Sequence, residues 1–123
     1  MSDGPSNPLV SGMMTDFYQI TMSYVYWKAG KTEDHAVFDL YFRKNPFGGE
    51  FTLFGGLEEA VRLVRTLKFT PADVEYIRSR LPAHTEDEFF EYLASVDGSK
   101  ITLRAIPEGS VIFPKEPLLI VEG

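Results

Sequence analysis

One short segment, Thr-Asp-Phe-Tyr-Gln-Ile-Thr-Met at residues 15–22, restricts the fold more than any other part of this sequence. Asp16 is a favourable N-cap residue, and Gln19 three positions later completes a capping-box pattern, so we predict a helix over residues 16–29 that Gly30 terminates. Helical spacing puts apolar side chains on two faces: Phe17, Ile20, Thr21 and Tyr24 on one, and Tyr18, Met22, Tyr26 and Ala29 on the other. A helix that is apolar almost all round is normally buried on most sides, so we expect a large surface to cover it.

The remaining chain alternates between strand and helix patterns. Residues 1–12 are rich in Pro, Gly, Ser and Asn and predict a flexible arm before a folded portion at 13–123. A period-two pattern over 36–43 predicts a strand with bulky side chains on both faces, and therefore with neighbours on each face. Three further strands are expected near 101–106, 110–113 and 118–121.

Three more helices are predicted from their start signals. The first follows Gly55-Gly56, with Glu58 and Arg62 as an i,i+4 ion pair on its solvent side. Another begins at Thr70-Pro71, with threonine at the N-cap and proline at N1. The sequence Thr-Glu-Asp-Glu at 85–88 predicts a capping box in front of the last helix. With the strands, these helices indicate an α+β fold.

Composition excludes several classes of function. The formal net charge of −6 argues against nucleic acid as the main partner, and the absence of cysteine excludes disulfide scaffolds and thiol nucleophiles. No apolar run approaches the ~18 residues of a membrane span, and the first residues have no secretory signal, so we expect a cytosolic protein without membrane contact.

Three separated segments resemble the amino-terminal part of nicotinate phosphoribosyltransferases. They are the helix start at 15–22, the strand and loop at 38–49 ending Arg-Lys-Asn-Pro-Phe-Gly-Gly, and Pro-Glu-Gly-Ser at 107–110. The stretch ending in Gly-Gly is the most specific of the three. The resemblance implies the helices and strands of a type II phosphoribosyltransferase, incomplete because the α/β barrel is missing. The family's enzymes are several times longer, and the chain stops directly after an apolar strand, so we expect a fragment.

The resemblance also implies an activity for the parent enzyme. Nicotinate and phosphoribosyl pyrophosphate would be joined, with ATP hydrolysis and Mg²⁺, to give nicotinate mononucleotide and pyrophosphate in NAD biosynthesis. Active sites shared across a homodimer are implied as well. We expect the fragment alone to be inactive and to bind no cofactor, with no catalytic residue and no metal ligand of its own. The alternative is a non-catalytic α+β interaction module derived from that enzyme.

Tyr18 and Asp16 are the candidate nicotinate contacts. A tyrosine offers a flat π face and a polar tip, which suit a heteroaromatic acid, and the resemblance implies that Tyr18 stacks on the pyridine ring. From the residues alone, Tyr18 is also compatible with a role in the core. Asp16 is compatible with a helix cap, and its carboxylate would repel the carboxylate of nicotinate, so the cap remains the alternative for it.

Arg43 and Lys44 are the candidate contacts to phosphoribosyl pyrophosphate. They precede a glycine pair whose backbone N–H groups can approach phosphate oxygens, and two cations complement a pyrophosphate. The stretch is not a P-loop, because no Lys-Ser or Lys-Thr follows the glycines. A solvated basic pair at a strand end is the alternative. His35 and His84 are predicted to be surface residues without an acidic constellation nearby.

Overall fold

The computed structural model describes Asn7 and residues 9–123, and it divides them into two compact units. One unit contains the chain up to Asp34 together with Arg65–Gly98, and the other contains His35–Val64 together with Ser99–Gly123. Of the predicted arm, residues 1–6 and 8 lie outside the described residues. Gly12, at the end of that arm, is buried, and an added Cβ would lie 2.7 Å from the carbonyl oxygen of Lys68.

The first unit is helical. It contains α1 (Phe17–Lys28), α3 (Pro71–Arg80) and α4 (Asp87–Ser95), while α2 (Leu57–Thr66) lies mostly in the other unit. Its core is a cluster of apolar side chains around the fully buried Phe89. The buried members are Ile20, Phe69, Ile77, Leu81, Phe89, Phe90 and Leu93. Rings of Tyr24 and Trp27 pack on Phe89, with centroids at 5.2 and 5.7 Å, so one face of α1 is fixed against α4.

Two helix boundaries lie where the sequence predicts them, and one does not. Gly30 takes the left-handed conformation that ends α1, at φ 69°. Thr70 caps α3 in a reciprocal box with Asp73 and with proline at N1. The predicted capping box at Thr85 was wrong: Glu86 is the N-cap of α4, and the Thr85 hydroxyl donates to the carbonyl of Pro82 at 2.7 Å. The helix begins at Asp87, one residue later than a cap at Thr85 requires, so Thr85 lies before the N-cap position.

The second unit is built on two small sheets. The first has the order β1-β5-β3 and is antiparallel throughout, with β1 at Val37–Leu40, β5 at Leu119–Glu122 and β3 at Thr102–Ala105. The second pairs β2 (Thr52–Leu53) with β4 (Val111–Ile112). Their core contains Phe54, Ile112, Leu118 and Leu119. The fold is therefore α+β, as predicted, and the described residues form no barrel.

Two sequence expectations about apolar faces are wrong for the described residues. Strand β1 was expected to be covered on both faces, but it is an edge strand whose four residues are all exposed. Helix α1 was expected to be buried on most sides, but only Ile20 is fully buried. The opposite face remains exposed along its length, at Tyr18, Met22, Val25 and Tyr26. The helical unit therefore covers only the side of α1 that packs on its own core.

Candidate substrate-binding site

The candidate nicotinate contacts lie at the start of α1, in the helical unit. Asp16 occupies the N-cap with extended backbone angles, and its backbone N–H donates to Gln19 Oε1 at 3.2 Å. Gln19 also accepts from the Thr15 hydroxyl, and its own N–H donates to the Asp16 carbonyl at 3.0 Å. The Asp16 side chain faces the backbone N–H of Gln19 and the Gln19 side chain faces the backbone N–H of Asp16, which is the arrangement of a capping box. The Asp16 carboxylate is nevertheless not close enough or well enough aligned to form a capping hydrogen bond. Asp16 is exposed and remains open to a second partner.

Tyr18 points away from the helical core. Its residue is 59% exposed, and among the described residues its ring makes no stacking contact and its hydroxyl no hydrogen bond. In the helical unit, Tyr18 therefore lies outside the core. The reason is helical geometry, since Ile20, Tyr24 and Trp27 already fill the face of α1 that packs on the core. An exposed, unoccupied π face is a suitable platform for a planar ligand.

The candidate contacts to phosphoribosyl pyrophosphate lie in the second unit, in the loop that follows β1. Arg43 and Lys44 lie in a bend, both exposed, and neither has an ion-pair partner among the described residues. The predicted strand reached Arg43, whereas β1 ends at Leu40. The loop then forms one turn of 3₁₀ helix at Pro46–Gly48, and the Thr52 hydroxyl fixes it by donating to Asn45 Oδ1 at 2.9 Å.

The glycine pair contributes less than its sequence suggests. The N–H of Gly49 donates to the Pro46 carbonyl at 3.0 Å, so this donor closes the turn and is not free for a phosphate. Gly48 is left-handed at φ 68° with no atom within 4 Å of a notional Cβ, so ligand approach is open there. Phe47, directly before the glycine pair, is fully exposed and also left-handed, at φ 56°. Such a conformation costs a non-glycine residue on the order of 1–3 kcal/mol and occurs often at functional sites.

A third cation, Lys115, adjoins this loop and was missed from the sequence. Its backbone N–H donates to the Phe42 carbonyl at 2.8 Å, next to Arg43, and its φ of 68° is also left-handed. The side chain is exposed. No local pattern indicates this proximity, since it depends on how the segment before β5 lies against the end of β1. Knowledge of the β1–β5 pairing would have indicated it.

The start of α2 is not available as a phosphate site. Glu108, from the Pro-Glu-Gly-Ser segment, accepts hydrogen bonds from the N–H groups of Gly56 and Leu57 at 2.7 and 2.8 Å. A carboxylate therefore already satisfies the helix N-terminus that follows the second glycine pair. This explains the presence of a glutamate in that turn.

The two histidines lie on the surface, as predicted, but one of them has an acidic partner. His35 Nε2 is 3.1 Å from Glu122 Oε1, and Arg104 donates to the other oxygen of Glu122 at 2.6 Å. The antiparallel pairing of β5 with β1 and β3 brings the three residues together. The prediction that His35 has no nearby acid was wrong, because that acid is distant in sequence.

Comparison with known proteins decides the family. Residues 13–123 match the sequence model of the nicotinate phosphoribosyltransferase (NAPRTase) N-terminal domain. The chain belongs to the nicotinate phosphoribosyltransferase family. It is 53% identical over 121 residues to nicotinate phosphoribosyltransferase 2 of Arabidopsis thaliana and 54% identical over 115 residues to the Caenorhabditis elegans enzyme, covering 98% and 94% of this chain. It spans only 22% and 20% of those two proteins.

A solved structure of a nicotinate phosphoribosyltransferase agrees with the fold. The crystal structure of human nicotinic acid phosphoribosyltransferase superposes with a TM-score of 0.79 at 50% sequence identity, over 89% of this chain and 22% of the human chain. The helices and strands described above are therefore those of the family's N-terminal domain. The assignment of Tyr18, Asp16, Arg43 and Lys44 to substrate contacts stays a prediction.

Proposed function

We propose that this chain is the amino-terminal part of an enzyme that joins nicotinate to phosphoribosyl pyrophosphate. The observation that carries the proposal is the match of residues 13–123 to the N-terminal domain of nicotinate phosphoribosyltransferases, at about half identity to proteins of that name. In this reaction the pyridine nitrogen forms a bond to C1 of the ribose as the bond from C1 to pyrophosphate breaks. The products are nicotinate mononucleotide and pyrophosphate.

Within that enzyme, the proposal gives α1 the role of binding the base. Tyr18 supplies its exposed ring face to the pyridine, and the fixed packing of α1 on Phe89 holds the ring in place. Prior placement of the ring reduces the entropy lost when substrate binds. Asp16 lies two residues before Tyr18 at the helix N-cap, where it addresses the ring side of the substrate and not its carboxylate, because like charges repel.

The loop after β1 is proposed to bind phosphoribosyl pyrophosphate. Arg43 and Lys44 are exposed cations without carboxylate partners among residues 7 and 9–123, so no internal ion pair has to break when an anion binds. Their charge would neutralise the leaving pyrophosphate, which stabilises a transition state where charge moves onto that group. Asn45 and Thr52 hold the loop that follows them.

We propose no role for the described residues in the use of Mg²⁺ and ATP that the resemblance implies. Within the described part of the chain, no group of three or more His, Asp or Glu residues is arranged to hold a metal ion. We assign neither a Mg²⁺-dependent step nor ATP hydrolysis to these residues. The homodimer and the cytosolic location implied by the resemblance remain predictions. No helix in residues 7 and 9–123 is long and apolar enough to cross a bilayer.

A non-catalytic interaction module is the second candidate, and one face of the β2–β4 ribbon favours it. Leu53 lies opposite Val111 in the register, and both are more than half exposed. Phe51 and Phe113 extend the same face and are also exposed. Contiguous apolar surface of this kind often marks a contact with another protein.

The experiment that tests the function is a hybrid enzyme. Residues 13–123 replace the aligned segment of the Arabidopsis thaliana relative, and the hybrid is assayed with nicotinate, phosphoribosyl pyrophosphate, Mg²⁺ and ATP. We expect nicotinate mononucleotide from the hybrid and none above blank from the 123-residue chain alone. A folded hybrid without product would favour the module, and product from the chain alone would overturn the division of roles.

A further inference from the structure

One carboxylate joins the start of α4 to the second half of α1. Glu86 Oε2 accepts a hydrogen bond from the Tyr24 hydroxyl at 2.6 Å, and Glu86 Oε1 forms an ion pair with Lys28. Tyr24 and Lys28 are four residues apart and therefore lie on one face of α1. Glu86 is the N-cap of α4, but its side chain makes no capping hydrogen bond, so both of its oxygens serve α1.

Apolar packing alone does not fix the rotation of α1 about its axis. Tyr24 and Trp27 pack against the core, but Tyr18 and Tyr26 on the exposed side are also large aromatic residues. The hydrophobic effect is not directional, so it does not by itself exclude a rotated helix that buries the second face. A hydrogen bond requires a defined direction, and Glu86 receives one only from the face that carries Tyr24. A partly buried polar contact of this kind can select one packing among several.

We propose that Glu86 is a positioning residue for the base: it fixes the rotation of α1 and thereby directs the ring of Tyr18 outward, to the pyridine of nicotinate. Tyr18 lies six residues before Tyr24, which places it roughly 120° around the helix from the residue that Glu86 holds. Any rotation that takes Tyr24 away from Glu86 turns Tyr18 by the same angle. A ring already held in its binding orientation loses less entropy when the substrate binds. This inference rests on the proposed function, because Glu86 affects the reaction only if Tyr18 contacts nicotinate.

The first test is steady-state kinetics of the hybrid enzyme, with two matched pairs of variants. Tyr24→Phe removes the hydroxyl but keeps the ring on Phe89, and it should raise the nicotinate KM about fivefold. Tyr26→Phe is its control, since Tyr26 is exposed and its hydroxyl makes no hydrogen bond within the described part of the chain. Glu86→Gln should raise the nicotinate KM about tenfold, because the amide loses the ion pair and a charged acceptor. Glu91→Ala, at an exposed acid of α4, should change neither KM.

Three comparisons separate positioning from a general loss of stability. The KM for phosphoribosyl pyrophosphate should stay unchanged in every variant. The double variant Tyr24→Phe/Glu86→Gln should be no worse than Glu86→Gln alone, because both substitutions act through one contact. Ile77→Val, at a 2% exposed position in α3, should lower the melting temperature with no change in the nicotinate KM. Equal rises in both KM values, or a nicotinate KM that follows the melting temperature across all variants, would overturn the proposal.

The second test does not depend on activity, so it separates this proposal from the proposed function. The 123-residue chain is labelled with ¹³C in its tyrosine rings and mixed with TEMPOL, a soluble nitroxide that broadens the resonances of accessible rings. We expect Tyr18 to be broadened and Tyr24 protected in the parent chain and in Glu91→Ala, and Tyr24 to lose its protection in Glu86→Gln. An unmodified hybrid without product would count against the proposed function, and the ring spectra would still decide whether Glu86 orients α1. Protection of Tyr24 that persists in Glu86→Gln would overturn the proposal, even in an active hybrid.

Discussion

Replacement of Tyr18 separates substrate binding from stability more sharply than any other change in this chain. Tyr18 is 59% exposed, and a tyrosine carries roughly 150–250 Å² of surface, so on the order of 100 Å² is available to a ligand. A pyridine ring stacked on one face would cover about half of that area. At about 25 cal/mol per Å² this is worth ~1.3 kcal/mol, and the stacking geometry adds ~0.5–1.5 kcal/mol. We therefore expect Tyr18→Ala to cost about 2 kcal/mol of nicotinate recognition.

The assay is steady-state kinetics of the hybrid enzyme. A loss of about 2 kcal/mol corresponds to a ~30-fold fall in kcat/KM for nicotinate, with a raised nicotinate KM. Tyr18→Phe should be much milder, because the π face is retained. Stability should fall by no more than about 1 kcal/mol, because truncation at an exposed position leaves no closed cavity.

The control for Tyr18 is Arg43→Ala, which should raise the KM for phosphoribosyl pyrophosphate and leave nicotinate nearly unaffected. If Tyr18→Ala lowers the melting temperature while the nicotinate KM stays the same, Tyr18 is a structural residue in the complete enzyme and the assignment to the site is refuted. Equal damage to kcat/KM by the Ala and Phe variants would refute stacking as the source of the effect.

Further predictions concern the chain itself. Phe89→Ala should lower the free energy of unfolding, measured by urea titration, by about 3–5 kcal/mol, whereas Phe38→Ala at a 71% exposed position should cost ~1 kcal/mol or less; similar losses would contradict the described core. Lys115→Gly should raise the free energy of unfolding by up to ~1 kcal/mol. Glycine adopts the left-handed φ of 68° without strain, and this gain exceeds the extra backbone entropy that glycine loses on folding. A loss of stability would contradict this φ. The exposed apolar face of α1 should make the isolated chain bind ANS or associate with concentration, and a sharply melting monomer without ANS binding would show that this face needs no cover.

Local signals in the sequence were sufficient for most elements of the fold. Gly30 and the Thr70-Pro71 pair mark helix boundaries through backbone conformation and capping, which depend on a few neighbouring residues. The i,i+4 pair of Glu58 with Arg62 forms at 3.3 Å for the same local reason. The prediction for Thr85 was wrong because the helix begins one residue later, with Glu86 at the N-cap, and the adjacent polar residues at 85–88 do not specify which one takes that position.

Long-range pairing could not be derived in this way. The sequence indicates β3, β4 and β5 in order along the chain. In the structure, however, β4 pairs with β2 and not with β3 or β5, and β5 lies between β1 and β3. The proximity of Lys115 to Arg43 and of His35 to Glu122 follows from that topology. The exposed side of Tyr18 is also a tertiary result, because both faces of α1 are apolar and the sequence alone does not select the one that packs on Phe89.

The most direct test of the central claim, that this segment binds the substrates of a nicotinate phosphoribosyltransferase, is a crystal structure of the hybrid enzyme with both products, nicotinate mononucleotide and pyrophosphate. We predict that the pyridine ring lies on the ring of Tyr18 with centroids within about 4.5–7 Å, as in other aromatic pairs. We also predict Arg43 or Lys44 within ion-pair distance, about 4 Å, of the pyrophosphate site. A bound nucleotide remote from both α1 and the loop after β1 would contradict the account.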